Sequence, residues 1–136
     1  MTEQHAVLGR RFMQSYAVGD SAGLLALLTQ DWVLHEEDGS LTSRQLIAEI
    51  TEAHRVPFPE KELDYVHELV DGEFVMHHVR FTFTHTGRYE DLEPTGRVVH
   101  LSEMVVHHLQ GGLIAESWRM TYPDGLYDQL VGTPVV

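Results

Sequence analysis

Between residues 4 and 18 the apolar positions Leu8, Phe12 and Tyr16 recur at helical spacing, flanked by Val7 and Met13, until Gly19-Asp20 breaks the run. Side chains four apart share one helix face, so this spacing predicts an amphipathic helix. A second short helix is expected over Ala22–Leu28, leading into an extended Asp31-Trp32-Val33-Leu34-His35. Thr42 and Gln45 stand at capping-box distance and open a third helix with Leu46, Ile47 and Ile50 on one face, ended by Pro57. From residue 61 the period changes to two. Lys61–Val70 and Glu73–His85 flank Asp71-Gly72, and Arg97–Leu109 and Leu113–Tyr122 flank Gly111-Gly112; both pairs read as hairpins. Within the second of these strands Val75, Val79, Phe81 and Phe83 point one way and His78, Arg80, Thr82 and Thr84 the other. Helices first and an antiparallel meander afterwards predict an α+β domain with its helices packed on one sheet face.

The 136 residues suit a single domain, 1–136, able to bury one core without staples. No cysteine is present, which removes disulfides, a thiol nucleophile and a cysteine zinc site, and fits a reducing, cytoplasmic setting. The first eleven residues mix acidic and basic side chains, and the longest apolar stretch, 22–28, is too short to span a bilayer, so neither export nor membrane insertion is expected. A formal net charge of -12 repels phosphates, which argues against nucleic acid as a partner. No glycine-rich loop opens a helix and no Gly-x-Ser-x-Gly elbow occurs, so nucleotide cofactors and serine-hydrolase chemistry are not expected. The ten histidines raise the question of a metal. Adjacent pairs such as His77-His78 and His107-His108 send one ring to each face of a strand, and the Pro94-x-Gly96 segment has the wrong spacing for a cupin motif; no metal and no cofactor are expected.

Several short motifs occur in a telling order: Asp31-Trp32-Val33-Leu34-His35, Pro57-Phe58-Pro59-Glu60, Thr84-His85-Thr86-Gly87, Pro94-Thr95-Gly96, the strand ending at His107-His108, Gly111-Gly112, Glu116-Ser117-Trp118, and finally Gly125-Leu126 with Gln129-Leu130. Together they resemble the SnoaL-like polyketide cyclases, a branch of the nuclear transport factor two-like superfamily. The resemblance implies a mainly antiparallel curved sheet wrapped by three N-terminal helices into a cone with an apolar interior, and a homodimer. In that family a Trp is followed four positions later by a catalytic Asp; Tyr122 stands there in this chain.

On that alignment the strand neighbour of Tyr122, counted back through Gly111-Gly112, is His108. An imidazole with a pKa of about 6.5 exchanges protons at neutral pH, whereas a phenol near about 10 is better at donating to an oxyanion. His108 is therefore the candidate proton carrier and Tyr122 the candidate oxyanion donor, with His35 a further catalytic candidate. Trp118 and Met120 share the face of Tyr122 and, with Tyr16, Trp32 and Met104, are expected to line the substrate pocket. Each has a structural alternative: His108 ending a strand in solvent, His35 a satisfied structural histidine, Trp118 and Tyr16 plain core, Glu116 a solvated edge charge.

The leading expectation is a cofactor-free cyclase or isomerase of secondary metabolism. It would act on a hydrophobic, polyketide-like small molecule by acid–base chemistry and substrate preorganisation. The alternatives are an epoxide hydrolase or dehydratase on the same scaffold, with Asp38, Glu60 or Glu103 as the carboxylate, and a non-catalytic small-molecule binder.

Overall fold

The computed structural model describes residues 2–122 and 126–131. Helices α1 (Thr2–Val18), α2 (Ser21–Leu25) and α3 (Arg44–Ala53) alternate with the first two strands, β1 (Leu28–His35) and β2 (Leu41–Ser43); four long strands follow, β3 (Lys61–Asp71), β4 (Phe74–Thr84), β5 (Val98–Gln110) and β6 (Leu113–Tyr122), then α4 (Leu126–Val131). The six strands form one mixed sheet in the order β2-β1-β6-β5-β4-β3. β1 runs parallel to β6 and every other pairing is antiparallel. The α+β class, the curved sheet and the three helices within the first 56 residues agree with the sequence pattern. The antiparallel β1–β2 pair, joined to the rest through the parallel pairing of β1 with β6, places sheet outside residues 61–122, and α4 has no counterpart among the elements expected from the sequence.

Local chemistry explains the element ends. Gly19 closes α1 at φ +78, a left-handed conformation that glycine adopts without a Cβ clash. Asp20 and Ser43 cap the next two helices by accepting from the backbone N–H of Gly23 (2.9 Å) and Leu46 (3.1 Å). The cap of α3 is thus one residue beyond the Thr42 of the expected capping box. Ile47 and Thr51 of α3 are buried, while Leu46 is exposed, so the inward face is rotated from the Leu46–Ile47–Ile50 stripe. The β5–β6 turn falls at Gly111-Gly112 as expected, whereas the β3–β4 turn is Gly72-Glu73, since Asp71 already pairs with Phe74. Irregular registers at Tyr65/His67 and His108/Leu109 add residues to one strand, the device by which sheets bend.

Phe12 and Met13 of α1 pack on Val75, Val79, Phe81, Phe83, Val99, Val105 and Ile114 of the inner sheet face, with Trp32, Leu34 and Phe58 completing the core. A polar relay is buried with them. Trp32 Nε1 donates to Ser117 Oγ (3.0 Å), and Ser117 Oγ lies 2.7 Å from His107 Nδ1, which ties β1, β6 and β5 together. Burial, with some repulsion from His77, pushes the His107 imidazole down to about 3. The unfolded chain takes up this proton near the ordinary value of about 6.5, so the unfolded state binds more protons between the two. The contribution of His107 to the free energy of unfolding is therefore expected to be constant above about pH 7 and to fall as pH drops through the window from about 6.5 to about 3. His107→Leu should flatten the upper part of that loss. Denaturant unfolding of both proteins at successive pH values checks it, and an unchanged slope counts against it.

Candidate functional site

The sheet and helices line a half-open cavity of about 240 Å³ at one end of the inner face. Its walls come from α1 (Tyr16), α3 (Ile50, His54), β3 (Lys61), β4 (Phe81, Phe83), β5 (Leu101, Glu103), β6 (Arg119, Thr121) and α4 (Leu126). Tyr89 closes it from the 85–97 segment, which is anchored by His85: the ring of His85 lies 2.9 Å from Thr95 Oγ1 and its Nδ1 accepts from the Thr95 backbone N–H at 3.1 Å. Gly87 in that segment passes so close to Val56 that a Cβ would lie 2.4 Å from the Val56 carbonyl oxygen, which explains a glycine there. The buried Phe58 packs behind two of these walls, its ring 4.8 Å from Phe83 and 5.2 Å from Tyr89.

Four ionisable side chains and two phenols, Tyr16 and Tyr89, face this largely apolar space. Arg119 donates two hydrogen bonds to Glu36, from Nε (3.0 Å) and Nη2 (2.6 Å), and its Nη1 lies 3.9 Å from Glu103. Burial opposes the guanidinium charge, but Glu103, Tyr16 and Glu36 outweigh it and hold the group above its ordinary value. Burial raises the Glu103 carboxyl above the usual range, with Arg119 and Lys61 pulling it partly back. Lys61 Nζ sits 4.8 Å above the Tyr16 ring and 5.5 Å from that of Phe83, and burial lowers it from 10.5 to about 8. Burial, reinforced by Lys61 and Arg119, brings His54 down to about 4. Tyr16 is pushed up to about 12 by burial, against the pull of Arg119. The site thus holds a fixed cation, a carboxyl able to carry or release a proton, an amine partly neutral near physiological pH and a neutral imidazole. Strongly shifted groups converging in an apolar cleft mark a chemical site.

The residues singled out from sequence are distributed differently from expectation. Tyr16 lines the cavity. Trp32 is buried in the core as donor to Ser117. Trp118, Met120 and Tyr122 do share one face of β6, but it is the outer face, where Tyr122 is 78% exposed. The inward residues of β6 are Ser117, Arg119 and Thr121, because the Ser117 relay and the Arg119 pairing with Glu36 fix the strand's phase. Met104 lies opposite Met120 and joins it with His78 and Tyr122 in a shallow outer groove. His108 is not the neighbour of Tyr122: it pairs with Glu116, while Tyr122 pairs with Ser102. Six residues of strand separate those two positions, about 20 Å. His108 instead stacks on Phe74 at 4.7 Å and lies 3.2 Å from Glu73. His35 is half-exposed, donating to Glu116 (2.5 Å) and stacked on Trp118 at 5.1 Å. Gly125 of the last sequence motif lies outside the described residues.

The motifs and periods of the sequence do not single out Lys61, His54 or Arg119, and they offer Glu103 only as a substitute carboxylate. Two weaker signals point toward the site. Lys61 is the one lysine in the sequence, and Arg119 is the basic residue alternating with Ser117 and Thr121. Among the described residues no group of three or more His, Asp or Glu is arranged to hold a metal, and no helix is long and apolar enough to cross a membrane.

A cavity between three N-terminal helices and a curved mixed sheet defines the nuclear transport factor two-like class. Within it, the model of the SnoaL-like polyketide cyclases matches residues 6–130, and the chain belongs to that family. The fold is similar to AclR of Streptomyces galilaeus, described as a candidate hydroxylase (20% identity, 100% of this chain and 86% of that chain, TM-score 0.87). It is also similar to a candidate SnoaL-like polyketide cyclase from Jannaschia (14% identity, 98% and 95%, TM-score 0.81) and to IdmH, a candidate polyketide cyclase from Streptomyces antibioticus (19% identity, 93% and 98%, TM-score 0.78). No curated protein matches the chain.

Proposed function

We propose that the protein is a cofactor-free, cytoplasmic cyclase or isomerase of secondary metabolism that moves a proton alpha to a carbonyl in a largely apolar, polyketide-like substrate. The observation that carries this reading is the buried Glu103 carboxyl in an aromatic cavity beside Arg119 and Lys61. A carboxylate raised by burial is a stronger base once ionised and a usable acid once protonated. Arg119, held by Glu36, offers fixed positive charge where an enolate oxygen would develop. The rings of Phe81, Phe83, Tyr16 and Tyr89 supply the shape that folds a flexible chain toward ring closure. In this reading Glu103 takes the acid–base role that the sequence analysis offered to His108, and Tyr122, exposed on the outer face, is assigned no part in the step. The test is deuterium exchange at the alpha carbon of aromatic 1,3-diketones in heavy water, followed by NMR: saturable catalysis is expected, and exchange at the buffer rate would refute the reading.

A second reading, hydrolytic opening of an epoxide, is favoured by the row Glu36–Arg119–Glu103, in which one guanidinium bridges two carboxylates. In that reading one carboxylate takes a proton from water, the oxygen of that water attacks an epoxide carbon, and the protonated partner gives its proton to the epoxide oxygen as the C–O bond breaks. A product heavier than the substrate by one water, with solvent oxygen-18 in a new hydroxyl, distinguishes it, since ring closure adds no water.

The homodimer is proposed through the outer sheet face, where Trp118, Met104, Met120 and Tyr122 leave a contiguous apolar surface uncovered by any helix. Sedimentation is expected to give about twice the 15.5 kDa chain mass at micromolar concentration, and Met120→Asp, which puts a charge into the contact, is expected to give monomer. A wild-type monomer would count against the interface.

A further inference from the structure

Nine basic residues occur in the chain, and eight of them are arginines; the single lysine, Lys61, opens β3 with its Nζ in the cavity. Arginine holds a surface charge as well as lysine does but cannot act as an amine at neutral pH, so a lone lysine in an apolar pocket points to the chemistry of a primary amine. Its surroundings agree. Among the described residues no carboxylate lies within 4.0 Å of Nζ, and its contacts are the faces of Tyr16 and Phe83. Glu103 faces the same space from β5, Arg119 from β6, His54 from α3 and Tyr16 from α1.

We propose that Lys61 is a catalytic amine that captures a ketone or aldehyde of the substrate as an imine. This deepens the cyclase reading and rests on it. The neutral Nζ adds to the carbonyl carbon; the carbonyl electron pair moves to oxygen, which takes a proton. The nitrogen gives up one proton, protonated Glu103 supplies a second to the hydroxyl, and the nitrogen lone pair expels it as water, leaving a protonated imine and the Glu103 carboxylate, which regains that proton when the imine hydrolyses. Glu103 removes the alpha proton and the electrons of that C–H bond form an enamine, which attacks a second carbonyl of the same molecule and closes the ring. Glu103 returns its proton to the new alkoxide. The water released in the first stage is matched by one taken up when the imine hydrolyses, restoring both Lys61 and the ketone. A protonated imine is a stronger electron sink than a neutral ketone, so the alpha proton is easier to remove than in the direct enolate route.

The geometry that favours this step also depresses the amine. Burial lowers Lys61 to about 8, against the opposing pull of Glu103, whereas an exposed lysine stays near 10.5. A sizeable fraction of Nζ is then neutral at physiological pH, as an attacking amine requires.

The experiment uses the intact folded chain, 2-naphthaldehyde as the probe and sodium cyanoborohydride to make the imine permanent. Peptide mapping by mass spectrometry locates the product. Lysine chemistry is confined to one residue, so the other amine able to react is the terminal one. Labelling of Lys61 is expected to saturate with probe, to be half-maximal near pH 8, and to be at least about tenfold faster than in the urea-unfolded chain. Labelling at the terminus alone, or of Lys61 no faster than when unfolded, overturns the proposal without any variant being needed. Lys61→Met separates this from the cyclase reading. Loss of alpha exchange in both Lys61→Met and Glu103→Gln supports the imine route. Full exchange in Lys61→Met with loss in Glu103→Gln leaves the cyclase reading standing and sinks the imine. Absence of exchange in the wild type together with specific Lys61 labelling keeps the reactive amine and refutes alpha-proton removal by either route, directly or through the enamine.

Discussion

Glu103→Gln is expected to lower alpha-carbon exchange about a hundredfold or more, the usual scale for deleting a general acid–base group. The amide keeps the size of the carboxyl and leaves an oxygen facing Arg119, whose Nη1 lies 3.9 Å from Glu103, but it cannot take up a proton. Arg119 retains Glu36 as its bidentate partner, so the wall of the cavity should stand. The wild-type rate is expected to climb with pH as Glu103 ionises, with its inflection above the ordinary glutamate value because burial raises that group. Glu103→Gln should lose the inflection together with the rate. A variant that keeps its fold by circular dichroism and its rate within about threefold would remove Glu103 from the mechanism.

Arg119→Met is expected to cost about 3 kcal/mol or more of folding stability, the largest loss foreseen for a single change in the cavity. The reason is what remains behind. Glu36 loses both guanidinium hydrogen bonds and keeps only that from the Thr42 hydroxyl, while the 5%-exposed Glu103 loses its nearest cation, so charge stays inside without compensation. The loss should depend on pH. Without Arg119 the folded-state pKa of Glu103 rises further above its unfolded value, and a raised carboxyl destabilises the fold increasingly as pH climbs past about 4.5. The variant should therefore approach wild-type stability in mild acid and diverge above it. Adding Glu103→Gln should recover part of the loss, a coupling that a double-mutant cycle in urea measures. Equal loss at all pH values, or no recovery in the double variant, would mean that Arg119 matters through packing alone.

Local signals suffice wherever one residue or one period decides the outcome. Gly19, Gly111 and Gly112 stop or turn the chain because left-handed backbone is cheap for glycine, and they do so where the sequence places them. The alternation Val75, Val79, Phe81, Phe83 identifies the inner face of β4, since four large apolar side chains cannot all be left in water. β6 offers no such discrimination. Its two faces, Glu116-Trp118-Met120-Tyr122 and Ser117-Arg119-Thr121, are both mixed, and the one with larger apolar groups is the outer one. Hydrophobicity alone mis-sorts a strand when the interior is a polar site and the exterior bears apolar surface. His108 is excluded by a different count: a turn at Gly111-Gly112 sets Tyr122 opposite residue 101, and the one-residue slip at His108/Leu109 moves the partner to Ser102, while His108 pairs with Glu116 close to the turn.

The class of the fold, the three opening helices, the four long strands, the family and an apolar, cysteine-free interior are all legible in the amino-acid order, because each follows from periodicity, turn chemistry or motifs read locally along the chain. Which residues meet is a property of the folded molecule. Glu36, Lys61, Glu103 and Arg119 lie on separate segments up to 83 residues apart, and they become one electrostatic group when the parallel junction of β1 with β6 and the register of β5 bring them to the same end of the sheet. Their shifts have the same origin. A carboxyl, an amine and an imidazole carry ordinary proton affinities along an extended chain, and it is the shared loss of water inside the cavity, a consequence of the packed whole, that sets them apart.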